Sequence, residues 1–152
     1  MKPKVYFAAD HWGFELIPIL VEYVNELGYE TEHCGPFEFD ETDDYPDFIA
    51  VAAKKVAEDK DQSKAIIFGK SGQGEAMCAN RQLGVRAAVY YGGPIEILSL
   101  SREHNNANVL SIGAGFIELE EIKLAIARWL ETSFPAEERH VRRIQKIDSL
   151  AL

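Results

Sequence analysis

The chain predicts a three-layer α/β/α fold: a five-stranded parallel, doubly wound, Rossmann-like sheet with helices on both faces. Two observations carry this. Short apolar runs alternate with amphipathic stretches five times, the pattern of parallel strands joined by right-handed helical crossovers. The central run, Ala65 to Phe68, is apolar at every position, as in a strand buried on both faces. No repeat, low-complexity tract or linker interrupts residues 1–152. The expectation is one domain, with a C-terminal helix or arm from about residue 137.

Lys4 to Ala9 reads as the first strand and ends in the loop residues Asp10-His11-Trp12-Gly13. From Phe14 to Leu27, residues Leu16, Ile19, Leu20, Tyr23, Val24 and Leu27 recur at helical spacing. Pro18 falls early in that helix, where a missing N–H matters least, and Gly28 is a natural stop. Tyr29 to His33 is a weaker second strand, followed by an acidic loop from Cys34 to Asp44. Pro46 suits the first turn of a helix over Asp47 to Asp59. Ala65 to Phe68 is strand three; Gly69, Gly72 and Gly74 follow, and Glu75 opens a helix through Ala79. Strand four is Arg86 to Tyr90, with a helix from Ile95 to Arg102. Strand five is Val109 to Ile112, with a helix from Leu119 to Leu130 and a last one from Glu138 to Ile147. Doubly wound sheets commonly set strands 2, 1 and 3 side by side and bind ligands where strands 1 and 3 end. That order puts Asp10 and His11 in one crevice with Gly69 to Glu75.

A net charge of −9 argues against nucleic-acid or anionic-membrane partners. It leaves room for a small anion held by a local basic cluster. No apolar run is long enough to span a membrane, and the N-terminus lacks a signal-peptide pattern. Cys34 and Cys78 form neither a disulfide framework nor a metal motif. They read as reduced cysteines of a cytoplasmic protein.

The stretch from Ala65 to Arg81 joins a strand, a glycine-rich turn and a helix N-terminus. Unpaired backbone N–H groups make such a turn an anion site, and glycine lets the backbone approach a ligand. Ser71 puts a hydroxyl inside the turn and Glu75 a carboxylate at its mouth. The plainer alternative is that Glu75 complements the helix dipole and the glycines only turn the chain. Gly69-Lys70-Ser71 is not the end of a Walker A loop, because Lys64 stands where that motif needs glycine. Asp10-His11 reads as an acid/base pair, or as an N-cap aspartate beside a surface histidine. Tyr45 is a ligand contact or a packed aromatic. Arg102 to Asn108 is denser in polar groups than a plain connection needs. Arg139, His140, Arg142, Arg143 and Lys146 form the densest basic patch. On a helix Arg139 and Arg143 are neighbours, and paired guanidinium groups suit a phosphate. The alternative is a solvated face countering Glu137 and Glu138.

These motifs fall in a familiar order: Asp10-His11-x-Gly13-Phe14, Asp44-Tyr45-Pro46-Asp47, Gly69-x-Ser71-Gly72-x-Gly74-Glu75, Ala79-Asn80, Arg102-Glu103-His104-Asn105-Asn106-Ala107-Asn108 and Arg139-His140-x-x-Arg143-Ile144. Nearly the whole chain resembles the ribose-5-phosphate isomerase B / galactose-6-phosphate isomerase family. The resemblance implies an aldose–ketose isomerase of open-chain sugar phosphates that uses an enediol, no metal and no cofactor. It also implies a homodimer or homotetramer whose active sites draw on two subunits. Some members carry a cysteine just after strand 3; here Gly69 stands there, and Glu75 matches the base of the other branch. By resemblance, Glu75 transfers the proton and Ser71 bonds the reacting oxygens, with backbone N–H groups of Gly72 to Gly74 stabilising the enediolate. Asp10 and His104 assist ring opening and, with Tyr45 and Asn105, hold hydroxyls. His11, Arg139, His140 and Arg143 hold the phosphate.

Three residues depart from the family pattern: Trp12 at a usually small position, Lys70 for a usual glycine, and Gly115 where many members carry a phosphate-binding arginine. Lys70 could partly replace that arginine toward the substrate. The departures leave open an isomerase of four- or six-carbon sugar phosphates. A binding module without catalysis would have no use for Glu75.

Overall fold

The computed structural model describes residues 1–150. Its elements are β1 (Lys4–Ala9), α1 (Leu16–Glu26), β2 (Thr31–His33), α2 (Pro46–Glu58), β3 (Ser63–Gly69), α3 (Gln73–Ala79), β4 (Ala87–Tyr90), α4 (Glu96–Glu103), β5 (Val109–Gly113), α5 (Leu119–Glu131) and α6 (Glu138–Asp148). The strands form one parallel sheet in the order β2-β1-β3-β5-β4. The expected α/β/α fold and the 2-1-3 order are both present. β1 and β3 are neighbours in register, with Ala9 opposite Phe68. One carboxyl-end crevice therefore receives the loops that follow both strands.

Side-chain alternation builds a core on each face. Phe7, Ile66, Phe68, Leu110 and Ile112 point to the layer of α1, α4 and α5, around the fully buried Trp129. Ala8, Ala65, Ile67 and Val109 point the other way, to Ile49, Ala52 and Val56 of α2 and Ala79 of α3. Each fully buried large side chain contributes about 1.5–3 kcal/mol.

Most boundaries shift by a residue or two from the sequence reading, and three of the shifts have a clear local reason. α1 begins at Leu16 rather than Phe14, because residues 10–14 are spent on tight turns, Gly13 N–H to Asp10 O and Phe14 N–H to His11 O. Gly13 must be glycine there, since a Cβ would sit 2.4 Å from that of Ala9. β2 loses Tyr29, whose N–H closes α1 on Val24 O and whose hydroxyl donates to Leu130 O. α3 begins at Gln73, so Gly74 and Glu75 lie inside its first turn.

Candidate active site

The glycine turn after β3 is pinned flat on the sheet. The Ser111 hydroxyl donates to Gly72 O at 2.7 Å. Ala114 and Gly115 N–H donate to Gly69 O and Lys70 O at 2.9 and 3.0 Å. Gly72 has φ +75°, and a Cβ on Gly113 would lie 2.6 Å from Ser71 O, so both positions need glycine. Ser71 Oγ accepts the Gln73 N–H at 3.3 Å and leaves its own proton free for a ligand. Tyr45 is packed against both α2 and the glycine turn. Its ring packs on the α2 core, and a Cβ on Gly74 would be 2.5 Å from its hydroxyl.

Glu75 lies against Gly69. A Cβ on residue 69 would be 1.8 Å from Glu75 Oε1 and 2.1 Å from Cδ, so a side chain at 69 would force this carboxylate out of its place. The glycine in place of cysteine is thus the space that the glutamate fills. Glu75 is 4 % exposed and makes no ion pair among the described residues. Burial raises its pKa above the usual glutamate range, and the charge of Asp10 adds to this. Asp10 is buried as well, and burial raises its pKa too. Its Oδ1 accepts the Trp12 N–H at 2.9 Å.

His11 is bonded on two sides by one acid. Asp43 Oδ1 accepts the His11 backbone N–H at 3.1 Å and lies 2.7 Å from ring Nδ1. Asp10, His11 and Asp43 bring ligand-type atoms within 4.8 Å of one another. The Nδ1 of His11 is taken by Asp43, so these two are joined by hydrogen bonding within the protein.

The three departures from the family pattern share one patch. The Lys70 ammonium sits 5.3 Å from the centre of the Trp12 ring, a cation–π contact. A Cβ on Gly115 would lie 2.9 Å from Lys70 Cγ and 3.0 Å from its carbonyl oxygen. Lys70 therefore occupies the space that a side chain at 115 would need.

Nine of the expected site residues thus gather where β1 and β3 end: Asp10, His11, Tyr45, Gly69, Lys70, Ser71, Gly72, Gly74 and Glu75. The other five do not. His104 and Asn105 follow α4 and lead into the amino end of β5, where Arg86 Nε donates to Asn105 O. α6 packs beside them: the His104 and His140 rings stack at 4.4 Å, and Ile144 is buried. A five-residue strand separates the two ends by about 16 Å. His140 is 4 % exposed and its Nε2 has no hydrogen-bond partner, the Glu137 carboxylate lying 3.9 Å away. Burial, followed by His104 and Arg139, pushes its pKa down. Arg139 pairs with Glu137 at 3.2 Å and Arg142 with Glu138 at 2.8 Å, both on the exposed side of α6. Arg143 is exposed and has no ion pair among the described residues.

Within the polar stretch 102–108, several residues are structural. Buried Arg102 donates to Thr132 O, Ala107 O and Asn106 Oδ1. Asn108 joins Arg86 N–H and Gly84 O. Asn80, in the Ala79-Asn80 motif, clamps the edge strand through both backbone groups of Ala87. Sequence reasoning missed Asp43 outright. Its only signal was an acid two residues before Tyr45, within a loop full of acids.

Comparison with known proteins places this fold. The sequence matches the Ribose/Galactose Isomerase family over residues 5–147. It is 36% identical over 141 residues to ribose-5-phosphate isomerase B of Mycobacterium tuberculosis (strain H37Rv), covering 93% of this chain and 85% of that one. The Escherichia coli K12 enzyme of the same name is 33% identical over 147 residues, with 97% and 95% covered. The crystal structure of ribose-5-phosphate isomerase B from Mycoplasma genitalium with bound ribulose-5-phosphate superposes with a TM-score of 0.91, at 34% identity over 97% of this chain and 95% of that one. The Trypanosoma cruzi type B enzyme gives 0.90 at 36% identity, over 98% and 96%. The chain belongs to the ribose/galactose isomerase family.

Proposed function

We propose that residues 1–152 form one isomerase domain that interconverts ribose 5-phosphate and ribulose 5-phosphate through an enediol, with Glu75 as the base. The observation that carries this is the buried, unpaired Glu75 carboxylate at the mouth of the glycine turn. Ring opening comes first: one of Asp10 and His104 takes the anomeric hydroxyl proton while the other protonates the ring oxygen as the C1–O bond breaks. Glu75 then removes the C2 proton, and the electron pair moves through C1 onto the aldehyde oxygen. Backbone N–H groups of Gly72 to Gly74 stabilise that oxyanion. Ser71 passes the O2 proton to O1, and Glu75 returns its proton to C1, leaving the ketose. Tyr45 and Asn105 hold hydroxyls; His11, Arg139, His140 and Arg143 hold the phosphate. Lys70 adds a cation on the side where Gly115 offers none.

His104, Asn105 and the α6 residues lie a strand length from Glu75, so this reading needs a second copy of the chain. The amino-end cluster of one subunit completes the crevice of its partner, in a homodimer or a pair of such dimers. No helix among the described residues is long and apolar enough to cross a membrane. We place the enzyme in the cytoplasm, where reduced Cys34 and Cys78 are at home.

The test is a coupled assay on four-, five- and six-carbon aldose phosphates. Ribose 5-phosphate is expected to give the highest kcat/KM; no turnover of it would reject the reading. Arg143→Ala is expected to raise KM for ribose 5-phosphate at least about tenfold, the size of one charged hydrogen bond. Weak binding of unphosphorylated ribose should be unaffected; equal losses for both would make the arginine structural. Because backbone N–H groups receive the oxyanion, activity is expected to survive exhaustive chelation. Loss with EDTA and recovery on adding a divalent ion would replace the enediol with a metal-assisted hydride shift.

A further inference from the structure

The loop between β2 and α2 delivers one acid to the turn after β1, and nothing in the reading above uses it. Asp43 is held in place from within its own loop. Its N–H donates to Asp40 O at 3.1 Å, while Asp40 Oδ1 accepts the Thr42 N–H and hydroxyl at 2.9 and 2.7 Å. The Asp43 side chain is 7% exposed, and its Oδ2 is buried without a partner. Its other oxygen takes both the backbone N–H and the ring Nδ1 of His11. A carboxylate only accepts hydrogen bonds, so the 2.7 Å contact requires the proton on Nδ1. Two bonds to one oxygen fix where the residue sits and how its ring is turned. Nε2 is left as the outward donor, and no bond among the described residues uses it.

We propose that Asp43 is a positioning residue of this isomerase, one that locks the His11 ring with Nδ1–H turned inward and keeps it cationic against the phosphate of the substrate. This rests on the sugar-phosphate reading above. The charged groups bearing on the ring support it. Asp43 acts through its hydrogen bond, and Asp10 and Asp40 through their charges; all three favour the protonated ring, against a smaller opposing effect of burial. Lys70, on the third loop at this end of the sheet, places its ammonium over Trp12. Burial does most to raise the Asp10 pKa; of the two neighbouring charges, His11 lowers it and Asp43 raises it by less.

The experiment is a pH titration of the histidine ring signals by NMR in the full-length protein, with His11 assigned from its loss in His11→Gln. In the wild type, the His11 ring is expected to keep its charge to higher pH than an unperturbed histidine, with the proton on Nδ1 throughout. In Asp43→Asn, which keeps the acceptor for the backbone N–H but loses the charge, the ring's proton affinity is expected to fall at least about tenfold. Affinity for inorganic phosphate, read from the same signals, should fall at least about fivefold at pH 7.5. The rise of KM for ribose 5-phosphate with pH should begin at correspondingly lower pH, with a smaller change in kcat. Asp43→Ser, whose hydroxyl also accepts the N–H, stands in should the asparagine variant misfold. A neutral Nε2–H ring in the wild type at pH 7 would overturn the proposal. So would an unmoved titration, or an unmoved phosphate affinity, in the variants. Absence of ribose 5-phosphate turnover in the wild type would instead sink the isomerase reading, while phosphate affinity still decides the role of Asp43.

Discussion

Glu75→Gln is expected to lower kcat for ribose 5-phosphate at least about a hundredfold, with KM changed little. The substitution keeps the size of the side chain, so it still fits against Gly69. What it removes is the proton acceptor, and general-base loss is commonly worth 10²–10⁴-fold. Near-normal turnover would end the assignment. A buried carboxylate suits this task because burial brings its proton affinity closer to the operating pH. The same burial has a thermodynamic consequence. The folded-state pKa of Glu75 is raised, so the native state binds more protons than the unfolded chain between the two pKa values. Stability contributed by the protonated form is present below the unfolded pKa and is lost as pH rises through the folded one. The glutamine variant lacks that loss. It is therefore expected to melt higher than the wild type at pH 8, with the difference vanishing near pH 4. A base that lowered the stability of its own site is the behaviour of a functional group. An equal Tm at both pH values would mean that the carboxylate is solvated after all.

How far the sequence reaches depends on what kind of contact places a residue. The all-apolar run at Ala65 to Phe68 and the helical spacing through α1 and α5 report burial directly, so strands, helices and layers were legible. The 2-1-3 strand order follows from general rules of doubly wound sheets, and that order alone brings Asp10 and His11 to Glu75. Single side-chain partnerships were not legible. Nothing in Arg102 to Asn108 distinguishes Asn108, which ties Arg86 N–H to Gly84 O, from Asn105, whose side chain is free for a ligand. The acidic loop holds Glu38, Asp40, Glu41, Asp43 and Asp44, and only the fold singles out Asp43 against His11. The departures at Trp12, Lys70 and Gly115 are far apart in sequence yet touch in space. Three separate breaks in the motif are one local rearrangement, centred on the Lys70 side chain.

The separation of the two clusters makes the largest prediction. If each crevice needs Glu75 from one subunit and His104 from its partner, two inactive variants should rescue one another. Glu75→Gln and His104→Ala are each expected to be inactive as pure homodimers, since every site carries one lesion. Unfolding, mixing in equal amounts and refolding distributes the chains at random. By two-fold symmetry, about half the dimers are then hybrids. In a hybrid, one site collects both lesions and the other collects neither. Activity should therefore rise from near zero to about a quarter of the wild-type value. KM should be that of the wild type, because the restored site is chemically intact. A structural role for His104 would not produce this result, since a damaged fold is not repaired by a partner that lacks its base. If the mixture stays as inactive as its components while cross-linking shows that hybrids have formed, the clusters work within one chain or not at all. The shared-site reading would then be wrong even though the fold is right.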